Sequence, residues 1–260
     1  MLALKLALVA ASILLSTAVA RRFGHALGGV IAGMPMIAGP ICAILLIDQG
    51  AQVVRAIALA TMTCIPGAIV HSVTVARSSR RLPWQLCIGL ALSLFMVVGL
   101  SLNALQLPVA LTCVLALAAP SLGLLASPRV SRMAGPVPVP HFEIVLRLVA
   151  ALTMAAAVIL SAEAFPPTVS GLLLAVPITG TVLPCFTLPR YGAQATAALM
   201  GGFVMGLHGF AAFFVALYWG LGRFDRLTAF VLALGAALVA AATVQGVRRQ
   251  VARARATGPA

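Results

Sequence analysis

The chain reads as an all-α polytopic membrane protein of about nine transmembrane helices, built as two inverted four-helix repeats joined by a connecting helix. Three observations predict this. The first is composition: 62% of residues are hydrophobic, 8% are charged and the mean hydropathy is +1.14, which no soluble domain of 260 residues matches. The second is length: the apolar stretches run to about twenty residues each, the span of a bilayer core. The third is a repeat at an offset of 142 residues, in which Gly29, Pro35, Gly50-Ala51-Gln52 and Gly67 recur without a gap as Gly171, Pro177, Gly192-Ala193-Gln194 and Gly209. An odd number of spans separates the copies, so the second copy sits upside down relative to the first.

Taken in order, the candidate spans are 2–20, 26–47, 51–76, 84–102, 106–126, 144–162, 167–188, 193–219 and 227–246. The first of them imitates a secretory signal, with Lys5, an apolar run and Ala18-Val19-Ala20. The repeat argues otherwise. It lays residues 2–20 on 144–162, an internal stretch, with Leu4-Lys5-Leu6 matched by Leu146-Arg147-Leu148, so the segment reads as a retained span. Spans one to four (residues 1–104) and six to nine (143–247) form the two repeats. The fifth span and a Pro-rich linker with Pro136, Pro138 and Pro140 connect them over 105–142, and a basic tail occupies 248–260.

Charge sets the expected orientation. With the N-terminus outside and the C-terminus in the cytoplasm, thirteen of the seventeen basic residues fall inside, and only Lys5, Arg55, Arg223 and Arg226 fall outside. The repeat pairs Arg21 with Glu163 and Asp48 with Arg190, and in each pair the basic member lies inside and the acidic member outside. The net charge of +13 does not point to nucleic acid, because the basic residues form short clusters between apolar stretches and are not interleaved with aromatics.

Spans two and seven are the unusual helices. Span two carries Gly28-Gly29, Gly33, Pro35, Gly39 and Pro40, and span seven carries Gly171, Pro177, Gly180, Thr181 and Pro184. A proline in a helix interior removes a hydrogen bond and clashes with the preceding turn, and in lipid the freed carbonyls survive only where protein or a hydrated cavity covers them. One such helix reads as a kink with close glycine packing. A pair at equivalent positions of inverted copies points to a transport site at the midplane. The candidate solute-binding residues are Pro35, Gly39, Pro40, Pro177, Thr179, Gly180, Thr181 and His208. Each broken span ends in Gly-Ala-Gln. Left-handed turn and capping geometry suffice for Gly50 and Gly192, and gating or ligand roles for Gln52 and Gln194 are the second reading.

Few other groups suggest chemistry. No carboxylate lies deep in a span, so a cation at the midplane would lack a counter-charge, and a neutral or anionic solute fits better. His208 lies mid-span, whereas His25 and His71 fall near the cytoplasmic boundary and read as interfacial. Arg55 is expected to snorkel to the outer interface, beside Asp48. The five cysteines all lie in apolar segments without a C-x-x-C, and read as small buried hydrophobes; no metal or cofactor is expected.

At its paired Gly-x5-Pro segments with a following Gly-led turn, the chain resembles a group of uncharacterised bacterial multi-pass membrane proteins, and its architecture is similar to that of inverted-repeat secondary transporters. The resemblance implies a multi-pass protein of the bacterial inner membrane and assigns no residue roles, since the four-plus-one-plus-four layout departs from the five-plus-five families. The expected function is a secondary transporter or permease of a small neutral or anionic solute, export included. The alternative is a non-transporting assembly or accessory protein, and a membrane-embedded enzyme ranks last for want of convergent acids and bases. The expected partners are the bilayer, the solute, and a second copy or a partner subunit.

Overall fold

The computed structural model describes residues 7, 10, 26–128 and 141–257. The expected span 2–20 and most of the Pro-rich linker lie outside the described residues. Within them the protein is all-helical: α1 (26–33), α2 (Ala38–Asp48), α3 (Gly50–Ser78), α4 (Trp84–Ala104), α5 (Val109–Ala126), α6 (His141–Ala164), α7 (Pro167–Ala175), α8 (Ile178–Gly220) and α9 (Arg226–Thr257). Among the described residues six stretches are long and apolar enough to cross a membrane: Ala26–Asp48, Gly50–Ser78, Trp84–Ala104, Val109–Ala126, Pro167–Gly220 and Arg226–Val247. The fifth of these has 54 residues and would extend roughly 80 Å if straight, far beyond one bilayer core. It is not straight. Gly192, at φ 78° and ψ −179°, divides α8 into a first limb (178–191) and a second limb (193–220).

Helix starts follow from local chemistry. Pro83, Pro108 and Pro166 immediately precede α4, α5 and α7, where a fixed φ helps and a missing N–H costs nothing. At α9, Asp225 accepts hydrogen bonds from the backbone N–H groups of Leu227 (3.0 Å) and Thr228 (3.1 Å). Hydrogen bonds from the Thr228 side chain and backbone hold this carboxyl below its ordinary value. A carboxyl depressed in the folded state contributes stability above its unfolded value and loses it as pH falls through the folded one. Hydrogen exchange at the Leu227 and Thr228 amides is therefore expected to quicken, relative to the intrinsic rate, as the medium is acidified through the carboxylate range. Asp225→Asn should flatten that dependence; an unchanged profile in Asp225→Asn would remove the cap from the account.

α3 and the second limb of α8 form the core, with Ile57, Met62, Ile65, Met200, Phe213 and Leu217 fully buried. α4 and α5 pack on α3, and α9 packs on α8. These three outer helices keep apolar sides exposed, including Val97, Leu122, Leu125, Leu238 and Val239, as helices facing lipid do. Cys42, Cys64, Cys87 and Cys113 are buried, Cys185 is half-buried, and all five are free.

Glycines set the closest approaches between helices. A Cβ at Gly29 of α1 would overlap the Leu199 carbonyl of α8, and one at Gly33 would overlap the Phe203 carbonyl. From the other side, a Cβ at Gly202 would overlap the Ala26 carbonyl and one at Gly206 the Val30 carbonyl. Two Gly-x3-Gly pairs thus cross backbone to backbone. α7 meets α3 in the same manner, where a Cβ at Gly171 would overlap the Ala60 methyl and lie 2.9 Å from both Ile57 O and Thr61 N.

Positions 142 apart have matching partners: Gly29 meets Leu199, Gly202 and Phe203, while Gly171 meets Ile57, Ala60 and Thr61. Likewise a Cβ at Gly67 would lie 3.1 Å from Phe95 O, and one at Gly209 would lie 2.9 Å from Ala237 O. Thus α1 seats on the second limb of α8, and α7 seats on α3.

Candidate functional site

The two proline segments interrupt their helices at equivalent places. Residues 34–37 separate α1 from α2, and residues 176–177 separate α7 from α8. Val176 (φ −55°, ψ 123°) has left the helical region, which a following proline disfavours. Pro66, Pro120, Pro184 and Pro189, by contrast, are absorbed within continuous helix. Proline alone therefore does not make the breaks. At each break the carbonyl four residues before the proline, which the ring deprives of its donor, is taken by a nearer amide: Ile31 O accepts from Met34 N–H (3.2 Å) and Leu173 O from Val176 N–H (3.1 Å).

The breaks face each other. Thr179 Oγ1 donates to Ala32 O at 2.9 Å, tying the start of α8 to the end of α1. Beside this bond lies a cavity of about 50 Å³, walled by Ala32 and Gly33 at the end of α1, Met34 of the first break, Val176 and Pro177 of the second and Thr179 at the start of α8. Phe203 and Phe210 of α8 and Ala68 of α3 close its sides. It has room for roughly three to five water molecules and is smaller than an engineered benzene-sized void. Among the described residues no charged side chain lines it, and the N-termini of two half-helices, α2 and α8, begin at its edge.

The candidate residues distribute unevenly around this cavity. Pro177 and Thr179 line it, and Pro35 makes the first break next to the lining residue Met34. Gly39 and Pro40 belong to the first turn of α2, and Gly180 is pressed under the Phe203 ring, which a Cβ would approach to 3.0 Å. Thr181 Oγ1 bonds His71 Nε2 at 3.2 Å. His208 does not join the group. Its Nε2 meets Ser121 Oγ of α5 at 3.1 Å, and its Nδ1 lies 3.2 Å from the carbonyls of Val204 and Met205. Gly50 (φ 82°) and Gly192 (φ 78°) both adopt the left-handed region that favours glycine, and Gln52 and Gln194 are exposed in the following turns.

Three features escaped sequence reasoning. His71, expected at the interface, is fully buried on α3, one turn beyond the cavity residue Ala68, and its Nδ1 has no partner. A second recess of about 250 Å³ opens where α3, α4 and α7 meet, with Thr63, Asn103, Gln106 and Thr168 in its wall. Asn103 Nδ2 donates to Gly99 O (2.9 Å) and to Cys64 Sγ (3.0 Å), and Gln106 holds a left-handed φ of 46°. Along α7 the Gly171 seam lies between recess and cavity, with Thr61 Oγ1 bonding both Ile57 O (2.8 Å) and Gly171 O (3.3 Å). Third, the guanidinium of Arg55 lies 4.5 Å from the centroid of the Tyr218 ring, an aromatic support that the sequence spacing does not announce.

No protein-family model, curated protein or solved structure matches the chain.

Proposed function

We propose that the protein is a secondary transporter or permease for a small neutral or anionic solute, bound where the two broken helices meet. The observation that carries this reading is the cavity itself: two helix interruptions 142 residues apart in sequence come together, bridged by Thr179, around an uncharged space. Half-helix termini at such a space offer dipoles and free backbone groups as ligands, and their converging N-termini favour negative or neutral partners over cations.

Inverted repeats are supported by helix direction. Ala26 and Val30 meet Gly202, and Val30 and Gly33 meet Gly206, so α1 runs parallel to the second limb of α8. Gly171 meets residues 57–61 and Thr181 meets His71, so α7 and the first limb of α8 run parallel to α3. The second limb of α8 ends beside the start of α3, where Gly222 approaches Arg55 and Arg226 Nη1 donates to Leu46 O at 3.0 Å. The two broken helices are then antiparallel, as two copies inserted in opposite senses require. On this reading α6, both limbs of α8 and the segment 2–20 complete nine spans, with the arginine-rich side in the cytoplasm of the bacterial inner membrane.

The two glycine seams give the proposed cycle its parts. α7 on α3 closes the cavity from the Asn103 recess, and α1 on α8 closes it from the other side. Rocking one repeat against the other would open one seam while the other stays shut.

The substitution Ala175→Cys, in a chain whose five native cysteines are replaced by alanine, tests the reading in sealed vesicles of both orientations. A transporter predicts that membrane-impermeant thiol reagents reach the introduced thiol from either side. Failure to label from either side, with the protein intact, favours the alternative of a non-transporting assembly protein.

A further inference from the structure

Away from the cavity, the far end of α3 carries a feature that the transport reading does not use. Arg77 in the last turn of α3, with Arg80 and Arg81 in the turn to α4, lines an open recess of about 640 Å³. Thr74 and Ser78 supply hydroxyls on the same wall, while Leu90 of α4 and Pro128 beyond α5 supply apolar ones. Among the described residues no acidic side chain lines it. The described carboxylates Asp48 and Asp225 flank the opposite end of α3, where Arg226 meets Leu46.

Two details make this more than a solvated cluster of arginines. Arg77 Nε donates to Ala126 O at 2.9 Å, so the last turn of α5 fixes one edge of the guanidinium and leaves its terminal nitrogens for another acceptor. The recess also continues into an apolar track, because Leu86, Leu90, Val97 and Leu100 of α4 are all exposed. A free anion would use only the arginines. A ligand with an anionic head and hydrocarbon tails matches both parts at once.

We propose that this recess binds an anionic phospholipid, its phosphate held by Arg77, Arg80 and Arg81 and its acyl chains lying along the exposed leucines of α4. The site lies on the arginine-rich side and is independent of what the central cavity carries.

The test uses the full chain in phosphatidylcholine bilayers, with and without phosphatidylglycerol. The anionic lipid is expected to raise the Tm by roughly 2–4 °C. R77Q/R80Q/R81Q should lose that rise, and R248Q/R249Q/R253Q, which removes as much charge from the C-terminal segment, should keep it. Inorganic phosphate added to phosphatidylcholine bilayers should have no effect. Equal responses of the cluster variant and the wild type would overturn the proposal, as would loss of the rise in both variants. A rise with phosphate alone would make the ligand a free anion and overturn it too. A second measurement leaves the arginines in place. In W219F the remaining tryptophan is Trp84, at the start of α4. Phosphatidylglycerol with brominated chains should quench its fluorescence more than equally brominated phosphatidylcholine at the same mole fraction, and equal quenching would overturn the proposal.

Discussion

Gly202→Leu is expected to abolish recovery of folded, monodisperse protein, whereas Gly201→Leu, one residue away on the same helix, leaves it intact. A Cβ at Gly202 falls on the Ala26 carbonyl, with Val30 N at 3.2 Å. These are backbone atoms, which cannot rotate aside as the end of a side chain can. Even one methyl would force α1 off α8, and the rest of a leucine would separate the helices along the whole Gly29–Gly33 seam. Overpacking a tight core costs about 1–3 kcal/mol and more when backbone must move, against a net stability of about 5–15 kcal/mol. The separation would also pull Ala32 away from Thr179, so the bridge between the breaks is lost with the packing. At Gly201 an added Cβ meets nothing within 4 Å. A leucine there gains helix propensity of up to about 1 kcal/mol over glycine. Size-exclusion profiles and thermal unfolding of the two variants decide the matter. Similar behaviour of both would mean that α1 does not seat on α8 at backbone distance.

That contrast shows what the sequence can and cannot supply. Gly50 and Gly192 were legible because they act on their own backbone, whereas Pro35 and Pro177 differ from Pro66, Pro120, Pro184 and Pro189, which continuous helix absorbs, in being paired across the chain. A proline withdraws a donor, and a glycine permits positive φ, whatever surrounds it. The matching of these positions across the offset of 142 residues added pairing, and with it the expectation that two broken helices share one place. Which glycine of 201 and 202 bears the neighbour depends on the facing of α8. A helix that is apolar on nearly every side has no polar face to reveal its orientation.

The histidines make the same point. Hydropathy gives the depth of a residue and not its direction. His208 lies inside its helix as expected but is turned to Ser121 of α5, while His71 lies within α3, which continues to Ser78, and is turned to Thr181. Asn103 and Gln106 were passed over because they sit where an apolar stretch ends, a common place for polar residues to do nothing more than meet water. Their recess exists only because α7 starts beside them, a contact between residues more than sixty apart in sequence.

His71→Phe is expected to separate stability from function. The imidazole is fully buried, with one nitrogen bonded to Thr181 and the other unpartnered, and an unpaired buried polar atom costs about 1–3 kcal/mol. Phenylalanine is likewise a planar ring on two torsions, larger by roughly one to two methylenes, and it removes that cost. A phenylalanine already stands 142 residues on, where Phe213 is fully buried. Thr181 is not stranded by the change, because a helical threonine hydroxyl can bond the carbonyl one turn back. The variant should therefore unfold at the wild-type temperature or above it. The His71–Thr181 bond lies one helical turn beyond Ala68 and Ile178 in the cavity wall and links α3 to the first limb of α8. If the repeats rock, this link must break and re-form, and a polar bond exchanged for water does so at little net cost, whereas a phenylalanine exposed to water resists opening. In the Ala175→Cys background, labelling of the introduced thiol from the arginine-rich side should accordingly fall about tenfold or more, the consequence of about 1.4 kcal/mol against the open form, with labelling from the other side retained. Unchanged labelling from both sides would reduce His71 to a packing residue, and a lowered Tm would show that its unpaired nitrogen is satisfied in the membrane.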